Sequence, residues 1–160
     1  MFGHNGVAAW PALAVNYTTK TQYLFRINKG ALDLTDKEGV NGLMDKRDRR
    51  IPFENMVFIG DGETDIPCFR VVRHKCGLSI AVFRPHQRGA QDEAGNYLTD
   101  GRVHCAVPAV YTERGELDRL IRANFDAVAA RVGLAVRSGG RRATTAVRSR
   151  VARPREGAGR

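Results

Sequence analysis

The sequence predicts an α/β fold, a parallel sheet with flanking helices, and three observations carry that prediction. The apolar run Met56-Val57-Phe58-Ile59 stops abruptly at Gly60-Asp61-Gly62, as a buried parallel strand does when it delivers a loop. Two further apolar runs, residues 78–83 and 103–107, follow it at intervals long enough for a crossover. Helical spacing of apolar residues fills the gap after the first run and the stretch after the last. Strand, helix, strand, helix, strand, helix is the order of a right-handed parallel α/β unit, and no internal repeat competes with it.

Taken in order, Asn5-Gly6 is a hairpin-turn dipeptide, and residues 7–15 can supply one strand beside it. Only four residues stand before the turn, so the chain reads as beginning inside a motif, or else as a frayed loop. Thr18 or Thr19 can cap a helix running to about Asn28, with Tyr23, Leu24 and Ile27 as its stripe and Lys29-Gly30 as its stop. Lys20 falls in the first turn of that helix, beside the positive end of the dipole, so it reaches for solvent or for an anion. Residues 31–51 carry five acids and five bases and read as a solvated connection with a short helix around residues 40–45.

After the strand at 56–59, residues 65–74 read as a helix capped by Thr64 or Asp65, with Ile66, Phe69 and Val72 inward and Gly77 ending it. Residues 78–83 give the second strand, residues 86–93 a short helix, and residues 103–107 the third strand. Residues 115–132 complete the pattern as a long amphipathic helix, lined by Leu117, Leu120, Ile121, Phe125, Val128 and Ala129.

The 160 residues are 42% hydrophobic and 27% charged, with mean hydropathy −0.36, as expected of one soluble domain. The net charge of +9 would suggest a nucleic-acid partner if it were spread over the surface. Residues 1–130 hold 17 Lys or Arg against 16 Asp or Glu, whereas residues 131–160 hold nine Arg and only Glu156. The expected division is therefore a folded region, 1–132, and an Arg/Gly-rich, disordered tail, 133–160. Nucleic-acid binding by the folded region is disfavoured. The longest apolar run, nine residues broken by Pro11, falls short of the roughly 20 of a membrane span. The first Lys or Arg is Lys20, so a secretory signal is not expected, and Cys68, Cys76 and Cys105 read as reduced thiols of a cytoplasmic protein. Their spacing with His74 and His104 matches no usual zinc site.

The chemistry sits in Gly60-Asp61-Gly62-Glu63-Thr64-Asp65. Ligands of open α/β sheets bind outside the carboxyl ends of the strands, where these acids fall. Two carboxylates four residues apart on a glycine loop can face one point and suit a hard cation such as Mg²⁺. The alternative is that Gly60 and Gly62 merely form the turn, Asp65 caps the helix and Asp61 is solvated.

The stretch IPFENMVFIGDGETDIPCFRVVRHKCGLSIAVFRP, preceded by NYTTKTQYLFRINKG and followed by YTERGELDRLI, resembles the haloacid dehalogenase-like hydrolases, mainly phosphatases, over about residues 4–131. The resemblance implies a Rossmann-like sheet, Mg²⁺ at the carboxyl ends of the strands, and an aspartate nucleophile that is phosphorylated and then hydrolysed. The Gly-Asp-x-x-x-Asp motif falls on Gly60, Asp61 and Asp65. Asp61 would ligate the metal, and Asp65 would ligate through water or orient the motif lysine. That lysine falls on Lys20, with Lys29 as the alternative and a solvated surface role as the bland reading. It would neutralise the nucleophile and the phosphoryl oxygens.

The departure from the family is in its first motif, Asp-x-Asp, which supplies nucleophile and general acid: no two aspartates of this sequence are two positions apart. The second motif's Ser or Thr also has no counterpart, since Thr18 and Thr19 follow a segment broken by Pro11 and Asn16. The expectation is a truncated, partial sheet lacking its N-terminal strand, inactive alone, with weak Mg²⁺ affinity. It would hydrolyse a phosphorylated small molecule only when complemented by an N-terminal half. Two other readings stand beside it: a non-catalytic interaction module, self-association included, and an anion-binding tail with a passive folded part.

Overall fold

The computed structural model describes residues 15–137. The expected Asn5-Gly6 turn, residues 7–14 of the first expected strand, and the tail from residue 138 onward lie outside them. The described chain is a mixed α/β structure with a three-stranded parallel sheet ordered β1 (Val57–Gly60), β2 (Leu78–Phe83), β3 (Cys105–Pro108). Val57 pairs with Leu78 and Gly60 with Ala81, while Ile80 pairs with Cys105 and Phe83 with Pro108.

Alternation along the strands sorts the core into two layers, because successive side chains leave a sheet on opposite faces. Phe58 and Ala81 point to one face and pack with Phe69, Ala94, Tyr97 and Val103, so α3 (Ile66–His74) and α4 (Ala90–Thr99) cover that side. Ile80, Val82 and Val107 point to the other and meet Leu117, in the first turn of α5 (Glu116–Arg137), with Leu120 and Ile121 half-buried beside them. Central β2 is buried on both faces and is apolar along its length apart from Ser79. Ser79 is satisfied locally: its hydroxyl donates to the Phe69 carbonyl (2.9 Å), and its amide donates to His104 Nδ1 (3.1 Å). A third cluster, Leu24, Phe53, Met56, Cys68 and Val72, fastens α1 (Lys20–Lys29) to α3.

Several local expectations need correction. Neither Thr18 nor Thr19 caps α1 with its side chain; Asn16 Oδ1 takes the amides of both, at 3.0 and 3.1 Å. The inward face of α1 is Leu24, Arg26 and Asn28, and Ile27 is exposed. Arg26 is buried because its guanidinium donates to the carbonyls of Ala31, Asp33 and Leu34, holding the following loop with charge-assisted bonds. The short helix in the connection comes earlier than expected, as α2 (Lys37–Asn41), because Asp36 caps it by accepting from the Gly39 amide at 2.7 Å.

The left-handed residue that ends α3 is Cys76 (φ 64°), and Gly77 serves a different purpose: a Cβ there would collide with the Phe53 carbonyl. The helix expected at 86–93 starts later, at Ala90, after His86 and Gly89 adopt positive φ. The described chain divides into two units that part within α5, between Ile121 and Arg122. α5 continues past the expected boundary, so residues 133–137 are helical rather than part of an irregular tail, and Phe125, expected on its inward face, is exposed.

Candidate functional site

The loop after β1 folds back on itself. Gly62 begins a 3-10 turn, Glu63–Asp65, whose last residue leads into α3, and this returns the Asp65 side chain towards the end of the strand. Asp65 stands at the N-cap position of α3 but makes no side-chain cap hydrogen bond there. Its Oδ2 accepts from the Asp61 amide at 3.1 Å, so it holds the start of the loop that carries it. Gly60 makes this possible, since a Cβ there would lie 2.5 Å from Asp65 Oδ2 and 2.7 Å from Asp65 Cβ. Gly62 faces open space and has extended backbone, so no steric demand fixes glycine there.

The other carboxylate oxygen of Asp65 takes a cation from a distant part of the chain. Lys20 Nζ lies 2.7 Å from Asp65 Oδ1 and donates also to Thr64 Oγ1 at 3.0 Å, a contact across 45 residues of sequence. Both oxygens of a nearly buried carboxylate are thereby satisfied, as burial of a charge requires. Delivery of Lys20 depends on Asn16, whose carbonyl also accepts the Lys20 amide (3.0 Å) and so fixes the first turn of α1. Lys29, the alternative motif lysine, is elsewhere: it donates to the carbonyls of Val40 and Gly42, each at 2.6 Å. Asp61 stands exposed at the carboxyl end of β1, free of its neighbour's ion pair.

Beneath the pair, Cys68 is fully buried on α3. Its thiol is pushed above the ordinary range, first by burial and second by the charge of Asp65, with Lys20 opposing. This sulfur packs as a small apolar group and stays protonated.

The structure thus brings Lys20, Asp61, Thr64 and Asp65 to the carboxyl end of β1. The sequence offers Thr64 only as a helix cap; its position inside the Gly-Asp-x-x-x-Asp loop is the signal that it faces the same point as Asp65. Among the described residues no group of three or more His, Cys, Asp or Glu converges as a metal cluster. The donor chemistry still suits a hard cation in kind, because Asp61 offers an exposed carboxylate; Asp65 has both oxygens engaged and is placed to orient rather than ligate.

The chain is similar to an uncharacterized protein of Borreliella burgdorferi, 30% identical over 119 residues, an alignment covering 72% of this chain and 39% of that protein. The chain therefore spans about two fifths of the length of the relative it matches. No family model matches it, and no solved structure does. Among the described residues, no helix is long and apolar enough to cross a membrane.

Proposed function

We propose that this chain contributes the lysine-and-acid half of a Mg²⁺-dependent phosphohydrolase site of the haloacid dehalogenase-like kind. The carrying observation is the Lys20–Asp65 pair at 2.7 Å, at the carboxyl end of a parallel strand that terminates in Gly60-Asp61. Lys20, 30% exposed in its side chain, keeps enough freedom to meet a phosphoryl oxygen, while Asp65 and Thr64 fix where its charge points. Asp61 would hold the Mg²⁺ ion together with carboxylates from elsewhere, and the ion would supply charge neutralisation at the phosphoryl group. Asp65 acts as a positioning residue for Lys20 and for the Asp61 backbone.

The nucleophile in this reading comes from a segment outside these 160 residues, since no Asp-x-Asp occurs among them. The test mixes this chain with a nucleophile-bearing half of a related hydrolase and measures phosphate release. Alone, the chain with Mg²⁺ should hydrolyse aryl phosphates no faster than buffer. With the complementing half, activity should appear, and Asp61→Ala or Lys20→Ala should each lower it about 10²-fold or more. A stable but inactive complex would overturn the assignment, and so would Mg²⁺-dependent turnover by the chain alone that Asp61→Asn abolishes.

One observation favours a second reading, a docking module. Among the described residues β1 is the sheet edge, and Val57-Phe58-Ile59-Gly60 carries no charge, proline or bulge to discourage strand addition. The two readings share that edge, and activity on complementation separates them. The tail that would bind anions in a third reading lies outside the described residues.

A further inference from the structure

At the opposite end of the sheet from Asp65, where β2 and β3 begin, the surface forms a cleft of about 460 Å³. Arg70, Arg73 and His74 from α3, and Lys75 just beyond it, line the cleft, with Val71 and Gly101 completing the wall. No acid lines it. The nearest carboxylate in sequence, Asp100, is paired with Arg102 at 2.9 Å. Arg73 is anchored without being neutralised, since Nη1 donates to the Val103 carbonyl at 2.6 Å. Lys75 lies over the Phe53 ring, 5.5 Å from its centroid, which likewise leaves its charge uncompensated. Arg70 and His74 are exposed and have no carboxylate partner among the described residues.

The bland explanation is the dipole of α3, whose carboxyl end attracts cations. That end is equivalent to roughly half a negative charge, whereas Arg70, Arg73 and Lys75 bring three permanent positive ones. The excess is concentrated in a concavity of the size that holds one small ligand, and two of the cations are guanidinium forks suited to phosphate oxygens. We propose that this cleft binds a small anion carrying two or more phosphate groups, at a site separate from Lys20 and Asp65. A concave site for one ligand favours this over the extended basic track that a nucleic acid needs.

The test uses the full ¹⁵N-labelled chain at low ionic strength, titrated in separate arms with pyrophosphate, ATP and a 20-nucleotide single-stranded oligonucleotide. Amide shifts should concentrate at residues 70–75 and 101. Arg70→Gln with Lys75→Gln should weaken pyrophosphate binding about tenfold or more, as loss of hydrogen bonds to charged groups implies. ATP binding no more tightly than pyrophosphate would identify the phosphates as the whole ligand; tighter ATP binding would identify a nucleotide. Because Arg70 is exposed, Arg70→Gln alone should keep the wild-type unfolding midpoint and still weaken binding, which covers the case of a misfolded double variant. Absence of shifts, or an affinity unchanged in the double variant because the C-terminal arginines bind instead, would overturn the proposal. So would an oligonucleotide that saturates the same amides at lower concentration than pyrophosphate.

Discussion

Gly60→Ala is the sharpest test of how the loop is built. An alanine Cβ would lie 2.5 Å from Asp65 Oδ2, 2.6 Å from Cγ and 2.7 Å from Cβ, where ordinary contacts begin near 3.4 Å. Rotating the carboxylate aside does not suffice, because Asp65 Cβ is among the atoms struck; the start of α3 must retreat as well. Overpacking of this kind costs about 1–3 kcal/mol. Displacing Asp65 also weakens its bonds to the Asp61 amide and to Lys20, each of a charge-assisted type worth about 1.5–3 kcal/mol when complete. Against this, alanine restricts the unfolded chain and returns roughly 0.4–1 kcal/mol. The net expectation is a loss of about 2–4 kcal/mol, a fall in Tm of roughly 10 °C for a domain of this size. Urea unfolding of wild type, Gly60→Ala, Asp65→Gly and the double variant closes the cycle. If the collision with Asp65 is the cause, alanine at 60 should cost much less when residue 65 has no side chain. A cost below about 0.5 kcal/mol, or one unchanged in the Asp65→Gly background, would refute the reasoning.

Other outcomes are as specific. Lys20→Met should destabilise by about 1–3 kcal/mol, because it leaves the nearly buried Asp65 carboxylate with only one amide partner, and a urea midpoint equal to wild type would mean solvent already screens the pair. Among the three cysteines, exposed Cys76 should react at once with Ellman's reagent, whereas Cys68 and half-buried Cys105 should react only on unfolding, since burial raises both thiols; two fast thiols in the native protein would contradict this. His104 is lowered from the ordinary histidine value, first by partial burial and then by Arg73, so the unfolded state takes up a proton more readily than the folded state. Stability should therefore fall as pH drops from about 6.5, and His104→Gln should flatten that slope in urea midpoints measured between about pH 7 and 5.

Much of the sheet was legible because buried parallel strands announce themselves as short apolar runs with abrupt ends. The apolar run 78–83 coincides with β2, and the run at 56–59 differs from β1 by one residue at each end. Legibility failed where a side chain far along the chain decides a local outcome. Ile27 is more apolar than Asn28, yet Asn28 is the buried one because its amide donates to the Ile51 carbonyl at 2.7 Å, a partner no helical pattern reveals. The start of α4 moved for a different reason: His86 and Gly89 take left-handed conformations, so a helix cannot form through them. In the long C-terminal helix, apolar periodicity continues to Ala129, yet Phe125 is exposed, so periodicity alone overstates the buried face.

The candidate site was partly legible for a reason that extends beyond these residues. Lysine in the first turn of a helix is locally unfavourable, since it meets the positive end of the dipole. Nothing within α1 offsets that cost: its first turn carries no acid, and its N-cap residue, Thr19, makes no side-chain cap hydrogen bond. The compensation is Asp65, 45 residues away, and Asp65 in turn makes a poor cap because both its oxygens are committed elsewhere. Gly60 is a third local cost, a glycine in a strand, offset only by the room it gives Asp65. Three residues that each weaken their own element converge on one carboxylate. Local rules broken in concert at one place mark a point that the fold holds at some expense to its elements, and this convergence, more than the spacing of the two aspartates, is what supports the proposed lysine–aspartate site over an ordinary strand-to-helix turn.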